Sequence, residues 1–183
     1  MKHGEVRIIG GQWRSRKLRF PAIPGLRPTP DSVRETLFNW LAPIIEGANC
    51  LDLFAGSGAL SFEALSRGAA NVTIVDQAPA VIRYLREQLE ILKATNATIC
   101  QAKVPYDKFS TQQPFDIIFL DPPFQKNLIK PTCEWLIQQN LLAKQAHLYI
   151  ESESNLTPLP IPHNWEILKN KTAGQVNYYL IKT

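Results

Sequence analysis

Histidine and cysteine are scarce in this chain, with three of each, and none falls at a metal-ligand spacing. His3, His147 and His163 are far apart, and no Cys-x-x-Cys exists, so no metal is expected. Cys50, Cys100 and Cys133 are odd in number and widely separated. They read as reduced core residues of a cytosolic protein. No apolar run approaches the length of a membrane span, and the N-terminus lacks the apolar core of a signal peptide. A cytoplasmic protein with no membrane partner is therefore expected. Internal repeats and low-complexity tracts are also missing. What is present is an ordinary apolar and charged composition over a length that suits one domain with a sizeable core.

Charge is unevenly placed. Residues 1–34 carry eight Lys or Arg against two Asp or Glu, a balance of +6, and the remainder carries twelve against fourteen, a balance of −2. Arg14, Arg16, Lys17 and Arg19 cluster there, with Trp13 and Phe20 among them. Basic side chains interleaved with aromatics suit an RNA backbone and its unstacked bases. A solvated basic hairpin is the plainer alternative.

The elements alternate along the chain. Residues 6–9 and 12–20 around Gly10-Gly11 predict a hairpin with a glycine turn. Pro21, Pro24, Gly25, Pro28 and Pro30 form a stiff connector. Asp31 or Ser32 is placed to cap a helix reaching about Leu41, with Val33, Leu37, Phe38 and Leu41 on one face. Strands are predicted near 50–53, 72–76, 98–101, 115–120 and 148–151, and helices near 59–67, 80–94 and 128–138. Such alternation predicts a mostly parallel sheet with helices on both faces. The tail, 165–168 and 176–181 around Ala173-Gly174, reads as an antiparallel pair.

Two motifs carry chemistry. Asp121-Pro122-Pro123-Phe124 follows the apolar run 115–120, so it sits at the carboxyl end of a strand, where open α/β sheets bind ligands. Proline has no N–H, so the tetrapeptide offers oxygen acceptors and few donors. The Asp121 carboxylate and Pro122 carbonyl suit the two hydrogens of a nucleobase amine, with Phe124 stacked on the ring. Upstream, Leu51-Asp52-Leu53-Phe54-Ala55-Gly56-Ser57-Gly58 leads from a strand into a helix. No lysine follows the glycines, which excludes a P-loop, and Ser61 stands where a dinucleotide fold prefers Gly or Ala. A nucleoside cofactor without phosphates remains. Asp76, at the end of the next strand, is placed to grip ribose hydroxyls.

Asp52 to Gly58, Asp76 and Asp121 to Phe124, in this order, resemble a class I S-adenosylmethionine-dependent amino-methyltransferase. Four further segments resemble the bacterial RsmD family: Arg7-Ile8-Ile9-Gly10-Gly11-Gln12-Trp13-Arg14, Gly25-Leu26-Arg27-Pro28-Thr29, Val33-Arg34-Glu35-Thr36-Leu37-Phe38-Asn39-Trp40 and Ala173-Gly174-Gln175-Val176. The likeness runs from about Arg7 to Ile181, and the N-terminal block is its most specific part.

The resemblance implies a Rossmann-like fold with a seven-stranded sheet, an antiparallel C-terminal strand and an N-terminal β-hairpin extension. It implies methyl transfer from S-adenosylmethionine, without metal, to the N2 amine of one guanine in 16S ribosomal RNA. Asp121, Pro122, Pro123 and Phe124 would be catalytic. Asp52, Phe54, Ala55, Gly56, Ser57, Gly58, Asp76 and Gln77 would bind the cofactor, with Asp52 near its methionine amino group. Arg7, Trp13, Arg14, Arg16, Lys17, Arg19, Arg27, Thr29 and Arg34 would face RNA, although an ion pair on its own helix equally accounts for Arg34. Many relatives carry Asp or Asn after the third strand to contact adenine; Lys103 here cannot accept a hydrogen bond.

Residues 1–30 are then a basic arm and connector, 31–183 the methyltransferase domain, and docking is expected to be separable from chemistry. The expected partner is 16S RNA in a small-subunit assembly intermediate, met by a monomer. The alternatives are a DNA amino-methyltransferase and a non-catalytic RNA-binding assembly factor.

Overall fold

A computed structural model describes residues 3–21, 28–108 and 111–183. Two strands, β1 (His3–Arg7) and β2 (Lys17–Pro21), pair antiparallel, with Val6 opposite Leu18. The chain continues through α1 (Asp31–Leu41), β3 (Asn49–Asp52), α2 (Ala59–Ser66), β4 (Asn71–Asp76), α3 (Pro79–Leu92), β5 (Ala97–Gln101), β6 (Phe115–Leu120), α4 (Ile129–Gln138), β7 (Leu142–Glu153), β8 (Glu166–Ala173) and β9 (Val176–Lys182). The large sheet has the order β5-β4-β3-β6-β7-β9-β8. β3 to β7 are parallel, and β9 inserts antiparallel between β7 and β8.

Apolar periodicity explains this arrangement. β6 is buried at every position but Asp116, as expected for the middle of a parallel sheet covered on both faces. One core lies on each face. Phe38, Phe62 and Leu85 belong to one, and Trp135, Leu136 and Trp165 to the other. In α1, Val33, Leu37, Phe38 and Leu41 are all buried. α3 starts with Pro79 in its first turn, where a missing N–H costs nothing. Its apolar face buries Val81, Ile82, Leu85 and Leu89.

Three expectations need correction. The hairpin has no two-residue glycine turn. Residues 8–16 form a loop that docks on α2, where the Ile9 and Gly10 N–H groups donate to Glu63 at 2.9 and 2.8 Å and Gln12 N–H to the Ser66 carbonyl at 2.8 Å. A Cβ on Gly11 would lie 1.8 Å from that carbonyl, and its φ is +75°, so glycine serves close approach here rather than a hairpin turn. The hairpin is also no detached arm: Val6, Ile8, Leu18 and Phe20 are buried in the same core as the sheet. Finally, neither Asp31 nor Ser32 caps α1, which begins after Pro30 without a side-chain cap. Asp31 pairs instead with Arg34 at 2.6 Å.

Candidate active site

The site is built at the carboxyl edge of the three central strands. Asp52 ends β3, and its Cα pairs with Phe119 of β6. Asp121 therefore lies two positions beyond that pairing, at the end of the neighbouring strand. Between β3 and α2 the chain makes a tight loop. Ala55 N–H donates to Val75 O at 3.0 Å, and Gly58 N–H to Ala55 O at 2.7 Å. Gly58 has φ +74°, and a Cβ there would strike Phe62 and Leu85 at 2.4 and 2.7 Å. The loop is thus drawn against the core, and its outer rim faces a cleft. That cleft is lined by Thr29, Asp52, Phe54, Ala55, Gly56, Ser57, Ala59, Leu60 and Asp121. Seven of these, all but Ala59 and Leu60, are sequence-predicted site residues, and the fold brings both motifs to one opening.

Asp52 is 3% exposed and accepts from the Ser61 hydroxyl at 2.5 Å. Burial pushes its carboxyl up to about 7, partly opposed by that hydrogen bond. A buried carboxyl without a cationic partner among the described residues is poised for a positively charged ligand group. Ser61, which departs from the dinucleotide pattern, thus has a job in orienting Asp52. Asp76 ties the loop together, accepting from Gly56 N–H at 3.0 Å and Ala78 N–H at 2.8 Å, one bond on each oxygen. Each oxygen retains a further lone pair for a ligand hydroxyl. Gln77 beside it is exposed, with its carbonyl accepting from Gln101 at 3.4 Å.

The surroundings of Asp121 disfavour its charged form. Burial, then the charge of Glu151, then that of Asp52, hold its carboxyl well above the usual range. Pro122 is buried, while Pro123 and Phe124 are exposed, Phe124 at 39%. Gln125 N–H donates to Glu153 of β7, which ties the following turn to the sheet. Lys103 lies with its ammonium over the exposed Tyr106 ring, 5.0 Å from the centroid. Among the described residues no group of three His, Cys, Asp or Glu is arranged to hold a metal.

The expected RNA-facing residues divide. Arg14 and Arg16 are exposed. Arg7, also exposed, pairs with Asp31 at 3.4 Å, and Lys17 and Arg19 share Glu5 at 3.0 and 4.0 Å. Trp13 is half-buried, packs on the core, and its N–H donates to the Ser66 hydroxyl at 2.9 Å. Phe20 is buried and offers no ring to RNA. For Arg34 the alternative reading, an ion pair on its own helix, is the one seen, with Asp31 at 2.6 Å. The residue is 1% exposed, and its guanidinium donates to Thr29 O, Arg7 O, Asp31 and the fully buried Glu63. It braces the connector, hairpin and α2. Arg27 lies outside the described residues.

Sequence reasoning missed Glu63 and Glu151. Glu63 sits in a helical pattern, where an acid reads as solvated. Glu151 ends a predicted strand, the same signal that marks Asp121, and it is buried beside the site.

Residues 6–182 match the family model described as Conserved hypothetical protein 95. The ribosomal RNA small subunit methyltransferase D of Escherichia coli is 49% identical over 177 residues, which are 97% of this chain and 89% of that relative. The solved structure of yhhF from Escherichia coli superposes with a TM-score of 0.85 at 49% identity, covering 98% of both chains. A more distant solved structure, SMU.776 complexed with SAH, shares the fold at a TM-score of 0.70 and 19% identity, over 91% of this chain and 53% of that one. No helix among the described residues is long and apolar enough to cross a membrane. With likeness of this extent along nearly the whole chain, the protein belongs to the RsmD family of ribosomal RNA small subunit methyltransferases.

Proposed function

We propose that this protein transfers a methyl group from S-adenosylmethionine to the exocyclic N2 amine of a guanine in 16S ribosomal RNA, in the cytoplasm. One observation carries the reading: Asp121, just past the end of β6, shares a single cleft with Gly56 and Ser57 of the tight glycine loop and with Asp52. The residues fit a cationic cofactor without phosphates. A buried Asp52 awaits a positive group, Asp76 stands at the next strand end, and no lysine follows Gly58.

The cofactor supplies a methyl already activated on a sulfonium, so neither a metal nor a covalent enzyme intermediate is required. The chain's own task is to hold and aim the amine. A guanine amino lone pair is delocalised into the ring and is a poor nucleophile. Hydrogen bonds from its two hydrogens to the Asp121 carboxylate and the Pro122 carbonyl turn the nitrogen toward the methyl and favour pyramidalisation. Asp121 accepts the proton released after attack, and Phe124 stacks on the base. Positioning and preorganised charge supply much of the rate. Arg14 and Arg16, exposed on the docked loop, are the cations best placed for RNA phosphates. The RNA is read as part of a small-subunit assembly intermediate, met by one copy of this chain.

Mass spectrometry of nucleosides from 16S RNA tests the reading. A strain lacking the protein should lose one equivalent of N2-methylguanosine, restored by the wild-type chain and not by Asp121→Ala. Unchanged N2-methylguanosine would remove the proposal. Assays on naked 16S RNA, assembly particles and duplex DNA separate the substrate forms and the DNA alternative.

A further inference from the structure

Three carboxyl groups gather at the carboxyl edge of the sheet's centre, and Asp52 and Asp121 have roles above. The third is Glu151. β7 runs parallel to β6 with Leu120 opposite Ile150, so Glu151 lies beside Asp121 on the adjoining strand. On the other side β9 brings Tyr178 opposite Glu151. Glu151 is 6% exposed, and its carboxylate accepts the Tyr149 hydroxyl at 2.6 Å and the Thr29 hydroxyl. Thr29 and Asp121 both line the cleft. Two hydroxyl donors therefore fix a buried acid next to a second, half-buried acid, Asp121, at the point where the target amine is to be held.

We propose that Glu151 is a positioning residue for methyl transfer: with Asp121 it holds one shared proton in the cofactor-free site, and the pair gives that proton up when a cationic cofactor enters. The proposal rests on the role of Asp121 given above. Adjacent carboxyls shielded from water titrate as a pair, because two negative charges side by side cannot both be held cheaply. The groups facing the pair are Asp52 from β3, Tyr149 from β7, Tyr178 from β9 and Thr29 from the connector. Burial is the largest influence raising both carboxyls, and the two hydroxyls work against it at Glu151 alone. The shared proton consequently rests mainly on Asp121, which in that state has an O–H to donate and one acceptor fewer for an amine.

The proton count closes over a turnover. Entry of a positive sulfonium favours two negative carboxylates, so one proton leaves to solvent. In the transfer step the N–C bond forms, the C–S bond breaks, and its electron pair stays on sulfur. The amine nitrogen then releases one proton to Asp121. The pair again holds one proton, now beside a neutral thioether, which is the resting protonation of the free site.

Calorimetric titration in buffers of different ionisation enthalpy counts the protons released as each ligand binds. S-adenosylmethionine and S-adenosylhomocysteine carry the same amino group, so the contribution of Asp52 cancels between them. The wild-type protein should release up to one more proton with S-adenosylmethionine than with S-adenosylhomocysteine at neutral pH. Glu151→Gln should abolish that difference, because Asp121 without its charged neighbour ionises at lower pH. Tyr149→Phe should keep the difference but move its window to higher pH, because Glu151 loses a donor to its charged form. Equal release of protons by the two ligands in the wild type overturns the proposal. So does a difference that survives in Glu151→Gln, or a window that does not move in Tyr149→Phe. A wild-type protein that binds neither ligand would instead overturn the methyltransferase reading itself.

Discussion

At the scale of single residues, the decisive ones are acids placed at strand ends. Asp121→Ala should lower single-turnover methyl transfer by roughly two or more orders of magnitude, the size expected when a transition-state interaction is lost. Cofactor affinity measured by calorimetry should stay close to wild type. A near-normal single-turnover rate would take Asp121 out of the mechanism. Asp52 makes a pH prediction. Its carboxyl stands at 3.8 in an unfolded chain and is pushed up to about 7 when buried, so the fold binds its proton more tightly. The stability this contributes is complete below about 4 and is lost as pH rises toward 7. Thermal scans of the cofactor-free protein should show a melting temperature that declines from pH 5 to pH 8, and less steeply in Asp52→Asn. Equal declines would show that Asp52 is not held in this way. The positions of Asp52, Asp76 and Asp121 were legible in the sequence, because each ends an apolar strand and chain position alone brings strand ends to the ligand edge. The helical ion pair of Arg34 was anticipated, but its burial against Glu63 was not legible. Whether a cation faces inward depends on the partner that meets it, and Glu63 is supplied by a helix 29 residues away.

At the scale of elements, α2 is the joint of the molecule. Its first turn follows the glycine loop. Its inner Glu63, fully buried, accepts from Arg34 at 3.2 Å, Arg67 at 2.7 Å and the N–H groups of Ile9 and Gly10. Removing one partner of a buried ion pair leaves an uncompensated charge, at a cost of about 3–5 kcal/mol. Glu63→Ala should accordingly lower urea stability by an amount of that order, and hydrogen exchange should speed up in residues 8–16 before the rest. A loss under 1 kcal/mol with unchanged exchange would argue that the loop is held by Ser66 and the apolar contacts instead. The parallel strands were legible because burial on both faces leaves continuous apolar runs. Beyond the hairpin, two further misjudged spans have physical reasons. β7 begins at Leu142, six residues before the apolar run, because its first half is partly solvated and includes Lys144 and Gln145, with a register shift against β6. β8 extends to Ala173 through residues exposed almost throughout, as an edge strand allows, so no alternating pattern marked it.

At the scale of the whole molecule, charge and packing meet in the hairpin. The balance of +6 over residues 1–34, against −2 elsewhere, suggested a docking role from composition, whereas the burial of Val6, Ile8, Leu18 and Phe20 in the same core as the sheet was hidden in the sequence. The two facts lead to different experiments. Deleting residues 1–21 strips four buried apolar side chains from one core, each worth about 1.5–3 kcal/mol, and removes the backbone partners of Glu63. The deletion should lower the melting temperature and cofactor affinity together, so it cannot report on RNA docking by itself. Charge reversal can. Arg14 and Arg16 are exposed and make no ion pair among the described residues, so Arg14→Glu with Arg16→Glu leaves the buried face intact. The double variant should keep the wild-type melting temperature and S-adenosylmethionine affinity. Its RNA affinity should fall, and the dependence of binding on salt should become shallower, because the slope scales with the number of phosphates neutralised. Lys17 and Arg19 share Glu5, so reversing them would disturb that cluster and confuse the result. Wild-type methylation of the ribosomal substrate by the Arg14 and Arg16 variant at moderate salt would reject the docking role and leave the hairpin as a structural brace.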